Sequence, residues 1–238
     1  MTNATAPAMP QPGIMDCAEI YYAPTDVYTR RRQGKFGIPL LVYVVAMIVV
    51  FFATKDLMKP LMDIQFNKSM AAQMAKHPEL TPEKMEAGRQ FASKLAPVGV
   101  VVGSAVIPLA VGLVIWLVAK FAGAAMGLAQ GMVVGVFSMF PVIIEYLVNA
   151  VQMALLDERV ITSSYSLSVG PARFMEGASQ SALALVGHID AFTIWMAFLI
   201  YLGVKVIGRT STRTAATVAV IAWLLGALPA VFGALRAG

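Results

Sequence analysis

The chain has 238 residues, 58% of them hydrophobic and only 13% charged, with a mean hydropathy of +0.73, a balance that excludes an ordinary soluble domain and points to an integral membrane protein. One cysteine, Cys17, excludes an internal disulfide or a cysteine-rich metal site, and two histidines, His77 and His188, are too few and too separate for haem or a zinc triad, so no metal or cofactor is expected. Eighteen basic residues stand against thirteen acidic ones, and because no basic patch is interleaved with aromatics the excess is assigned to anionic membrane lipids and not to nucleic acid.

Residues 1–24 are rich in Ala, Pro, Thr and Asn, lack the basic start and short apolar run of a cleavable signal, and read as a flexible tail. Residues 25–35 carry a capping Thr25, an early Asp26 and then Arg30, Arg31 and Arg32, which suits a short basic helix at the headgroups with Tyr21, Tyr22 and Tyr28 beside it. A solvated basic linker is the alternative. The first crossing is 36–54, uncharged and about 28 Å long as a helix.

The connection 55–96 is polar but helical in pattern, with Leu57, Leu61, Ile64, Met70 and Met74 on a broken apolar stripe. His77-Pro78 should stop that helix and Thr81-Pro82-Glu83 restart one, giving a helical hairpin outside the bilayer. The second crossing is 98–119, where Gly99, Gly103, Pro108 and Gly112 allow close helix contact or a bend. Glycines then recur at 123, 127, 131 and 135; the first two suit a turn, leaving Gly131 and Gly135 to pack the third crossing, 131–156.

That third crossing carries Ser138, Glu145, Asn149 and Gln152, spaced by seven, four and three, hence one polar stripe on a continuous helix. A carboxylate at membrane depth costs on the order of 3 kcal/mol even on lenient insertion scales, so the stripe must face other helices. After it, Pro171 opens an amphiphilic run, 172–186, suited to the membrane surface. The fourth crossing is 191–207, with Asp190 as its cap and Lys205 snorkelling at its end, and the fifth is 214–235. The fold class is thus all-α, a polytopic membrane protein with five transmembrane helices and an extramembrane hairpin between the first two. The compact cluster Arg30, Arg31, Arg32 and Lys35 before the first crossing holds the N-terminus in the cytoplasm. Seven basic residues in the 55–96 connection pull the other way, which keeps the reversed topology open.

The run from His188 to Ala215, HIDAFTIWMAFLIYLGVKVIGRTSTRTA, resembles the signature of the Yip family, the Ypt/Rab-interacting-type five-helix membrane proteins, at Asp190, Phe192, Ile194-Trp195, Gly203, Ser211 and Ala215. The start from Tyr21, a proline, a short amphipathic helix and then a crossing, is similar as well, and Pro141 in the third crossing fits the pattern. The 55–96 hairpin resembles what prokaryotic members carry. The resemblance implies a non-catalytic role in membrane organisation or protein interaction, in the bacterial cytoplasmic (inner) membrane, with other membrane proteins or a second copy as partners. No acidic cytoplasmic tail of the GTPase-binding kind is recognisable, so a small GTPase is not expected as partner. A small transporter using Glu145 and an accessory subunit of a larger membrane complex are the alternatives. No metalloprotease or nucleotide-binding motif is present. Gly177-Ala178-Ser179 with His188 is the nearest approach to a serine-histidine pair, with nothing to supply an oxyanion hole.

Overall fold

The computed structural model describes residues 12–76, 81–175 and 177–237, which are mostly helical, with no strand among the described residues. Four helices are long and apolar enough to cross a membrane: Gly37–Ala71, Glu83–Phe121, Leu128–Leu155 and Thr212–Gly233. A further candidate is the pair Ser181–Gly187 and Ala191–Ile207, bent by 50° between its halves.

The segment read as a flexible tail is packed from residue 12 onward. Two short helices, α1 (Asp16–Glu19) and α2 (Pro24–Arg30), fold back into the bundle, and Ile20, Val27 and Tyr28 are wholly buried. Residues 1–11 lie outside the described residues. What holds the segment is a charge cluster that a search for apolar periodicity does not see. Asp16 accepts hydrogen bonds from Arg30 Nε at 2.8 Å and Arg31 Nε at 2.6 Å, and Arg30 also pairs with Glu19. Arg31, only 2% exposed, donates further to the carbonyls of Gly13 and Lys35, and its guanidinium lies 5.8 Å from the Phe137 ring centroid. A buried arginine is tolerable only when its donors are met in this way. Two of the arginines assigned to the headgroups are therefore turned inward. Cys17 sits in the same cluster, and burial pushes its thiol up to about 11, with Arg31 pulling the other way.

Two 40-residue helices follow, α3 (Gly37–Lys76) and α4 (Pro82–Phe121). Each is about 60 Å long, twice the hydrocarbon thickness of a bilayer. The first crossing runs into the polar connection without interruption, since Pro60 gives up one ladder bond and nothing else there stops a helix. Residues 77–80, including the expected His77-Pro78 stop, lie outside the described residues. Thr81 caps α4 by accepting the Lys84 N–H. Beyond Lys55 the two helices are tied by Arg89 to Asp63 at 3.0 Å, an exposed pair of the kind that contributes little to stability.

The turn after α4 contains Gly123, at φ +76°, and Gly127 stands just before α5 (Leu128–Ser138). Met139 separates α5 from α6 (Phe140–Leu155), because Pro141 at the second position of α6 has no N–H to continue the ladder. The close contact in the bundle is α4 on α5. A Cβ at Gly131 would fall 2.6 Å from the Trp116 Cβ, and one at Gly135 would overlap the Gly112 backbone and lie 2.6 Å from the Pro108 carbonyl oxygen. Gly99 and Gly103 do not pack this way: a Cβ at Gly99 meets nothing within 4 Å, and one at Gly103 meets only Ile107 of its own helix. The contact begins further along α4, where Gly112 lets the backbones approach.

The run 172–186 is not one surface helix. It divides into a 3-10 turn at Pro171–Phe174 and α7 (Gln180–Gly187), with Gly177 at φ +76° before α7 and Ser179 accepting the Ala182 N–H as its cap. Helix α7 packs on α9 (Thr212–Ala237), and α8 (Ala191–Ile207) lies between α2, α5 and α9.

The elements sort to two ends. At one, the N-terminal segment meets the start of α5 and the end of α8: Gln130 donates to the Arg32 carbonyl at 2.7 Å and Arg32 donates to the Val206 carbonyl at 3.2 Å. At the other, Leu61 on the far half of α3 packs with Met153, Ile161 and Leu167, and Lys68 donates to the Thr162 carbonyl. Gly135→Ala is expected to destabilise the protein by about 1–3 kcal/mol through overpacking, lowering its melting temperature in detergent, whereas Gly99→Ala, in open space on a helix, should leave it unchanged or slightly raised; equal shifts would refute the α4–α5 contact.

Candidate functional site

Glu145, Asn149 and Gln152 do share one face of α6, and that face looks onto the irregular segment 156–190. Between them lies a polar cavity of about 210 Å³, lined by Glu145, Asn149, Ser164, Tyr165, Ser168, Asp190 and Thr193 among others. Ser138 is not part of it. The break at Met139 interrupts the helical phase that would align it with Glu145, and Ser138, wholly buried, donates to its own helix at the Gly135 carbonyl.

Of the two carboxyls around the cavity, one is engaged and one is not. Asp190 caps α8, accepting the Phe192 N–H on Oδ1, while Oδ2 takes the Ser168 hydroxyl at 2.8 Å and the Val169 N–H at 2.7 Å. Thr193 completes the capping box by accepting the Asp190 N–H and donates to the His188 carbonyl at 2.6 Å. Gln152 works as a strut: its amide donates to the Leu167 carbonyl at 2.9 Å and its carbonyl accepts from Arg173 at 2.7 Å. Asn149 receives only a long contact from Gln152, at 3.5 Å. Among the described residues, nothing donates to Glu145, which faces the cavity half-buried. Its carboxyl is thus an open acceptor with the Asn149 amide and several hydroxyls nearby, chemistry that suits a proton, a small cation or a polar solute. No group of three metal-ligating side chains forms among the described residues.

Ser179 and His188 stand at opposite ends of α7, each committed to structure: Ser179 as cap, His188 with Nε2 2.7 Å from the Trp223 carbonyl oxygen. They do not form a nucleophile-base pair.

Of the motif residues, Trp195 and Gly203 pack directly against the N-terminal segment. Tyr21 donates to the Phe140 carbonyl at 3.0 Å, beside Pro141, and meets Trp195 edge to face at 5.8 Å. A Cβ at Gly203 would lie 2.8 Å from Val134 Cγ1 and 3.1 Å from Tyr28 Cζ, so only glycine lets α2 and α5 close on α8 there. Phe192 and Ala215 are buried, and Ser211 caps α9 by accepting the Thr214 N–H at 3.1 Å. The residues that sequence reasoning missed are Asp16 and Glu19. Two acids one helical turn apart, upstream of three consecutive arginines, were the available signal.

A family model for the Yip1 domain matches residues 18–233. No curated protein and no solved structure matches. Replacing Asp190 with Ala removes a cap and two ties to the 168–169 backbone and side chain, and is expected to cost about 2 kcal/mol; limited proteolysis should then cut between residues 157 and 179 several times faster, and an unchanged cutting rate would contradict the assignment.

Proposed function

The chain belongs to the Yip1 domain family, and from that premise we propose that it is a five-crossing, non-catalytic protein of the bacterial cytoplasmic membrane that acts by binding other membrane proteins. The observation that carries this reading is the length of α3 and α4: about 60 Å of helix each against about 30 Å of hydrocarbon. The surplus, residues 55–96, is a two-helix projection with Leu57, Met62, Met74, Phe91 and Leu95 exposed, apolar side chains that a pair of helices cannot cover alone. The fifth crossing is the bent α7–α8 pair. The N-terminus is cytoplasmic, since Arg32, Lys35, Lys120, Lys205, Arg209 and Arg213 gather at the end where the N-terminal segment packs.

A photocrosslinking residue placed at Phe91 in living cells should give a discrete adduct, with a protein or a second copy, that Leu95→Glu abolishes, while the same residue at Lys120 gives none. An inserted, stable protein with no adduct from the projection would refute the interaction role.

The cavity at Glu145 supports a second reading, a small transporter. Glu145→Gln in proteoliposomes separates the two: transport requires a pH-dependent flux in the parent that the variant loses, and no flux in either leaves the interaction role standing.

A further inference from the structure

The outer face between α8 and α9 carries an apolar groove of about 360 Å³, lined by Ile194, Phe198, Tyr201, Ala216, Val220 and Trp223 among others. From Ile194 to Tyr201 it runs about 10 Å along the helix axis. Ile194, Phe198 and Val220 are about half exposed along it, so it opens away from the bundle. Its composition changes at the basic end. There Lys205 donates from Nζ to the Tyr201 hydroxyl at 3.1 Å, and Thr212, the first residue of α9, lies beside the same phenol oxygen. The positive end of the α9 dipole is at this mouth, and Arg209 and Arg213 stand in and just after the turn joining the two helices. From residue 191 to the C-terminus the chain contains Lys205, Arg209, Arg213 and Arg236 and not one acid. Lys205 therefore stands at the mouth, with Arg209 and Arg213 in the adjoining turn and first turn of α9, and neither α8 nor α9 carries a carboxylate to neutralise them.

An apolar slot ending in unneutralised cations, a hydroxyl and a helix N-terminus matches a molecule with a hydrocarbon tail and a phosphate head. We propose that this groove binds one acyl chain of an anionic phospholipid, whose phosphate is held at Lys205 and Tyr201. The proposal rests on α8 crossing the membrane, because only then does the groove face hydrocarbon. A helix of another protein could fill the slot, but would bury the mouth without answering its charge. A zwitterionic lipid would bring a cation of its own against Lys205.

The test uses the full chain purified in mild detergent and in nanodiscs, with phosphatidylglycerol and phosphatidylcholine of identical chains as probes. Native mass spectrometry should retain one phosphatidylglycerol per protein in preference to phosphatidylcholine. Lys205→Ala, at an exposed position, and Ala216→Phe, which fills the slot, should each reduce that retention at least tenfold. With Trp116 and Trp195 replaced by Phe, chain-brominated phosphatidylglycerol should quench Trp223 more strongly than brominated phosphatidylcholine. Equal retention of the two lipids, or retention indifferent to both substitutions, overturns the proposal while leaving the crossing intact. No quenching of Trp223 by either brominated lipid overturns it by removing α8 and α9 from the membrane. Conversion of an oligomer to a monomer by Ala216→Phe overturns it in favour of a protein occupant.

Discussion

The contact between Asp16 and Arg31 closes the N-terminal segment on itself in the shape that lets Ile20, Val27 and Tyr28 be buried in the bundle. Arg31 is almost fully withdrawn from solvent and meets one carboxylate, two carbonyls and an aromatic face, while Asp16 also holds Arg30. Removing one partner of a buried pair of this kind typically costs about 3–5 kcal/mol, because the other charge is left without an answer in a poorly polarisable site. Several other features follow from it. Tyr21 reaches the break between α5 and α6, Tyr28 lies on Gly203 with its hydroxyl buried and unbonded, and Arg32 ties the segment to both α8 and the α4–α5 turn. The third crossing therefore packs on its neighbours with a short fold-back segment wedged between α5 and α8.

The two ends of the molecule do different physical work. At the basic end, short turns and cations leave little chain outside the helices. At the opposite end α6, residues 164–169 and the α7–α8 bend surround a polar cavity with one uncommitted carboxyl. Asp190 supports both neighbours of that cavity, starting α8 with one oxygen and anchoring residues 168 and 169 with the other.

The long apolar stretches were legible in the sequence because a membrane helix announces itself by composition alone, and α8 and α9 begin within two residues of where their caps and charges placed them. Gly131 and Gly135 were legible from their spacing. Gly99 and Gly103 have the same spacing, and spacing cannot tell which face of a helix meets a neighbour; that depended on where α5 crosses α4. Ser138 was misplaced because a single proline at 141 broke the phase that aligned it with Glu145. The N-terminal segment escaped because its anchors are charges brought together by two turns, and no periodic pattern encodes that. Gly177 and Pro171 divided the 172–186 run for local backbone reasons visible only once φ was known.

Cys17 carries the chain's lone sulfhydryl, shut beneath Arg31 in a setting that keeps it protonated. A thiolate is the form that reacts. The protein thus comes with a native tell-tale: an alkylating reagent should mark it faster once the amino-terminal wedge has left its seat, so undocking in a living membrane could be timed without introducing a foreign label.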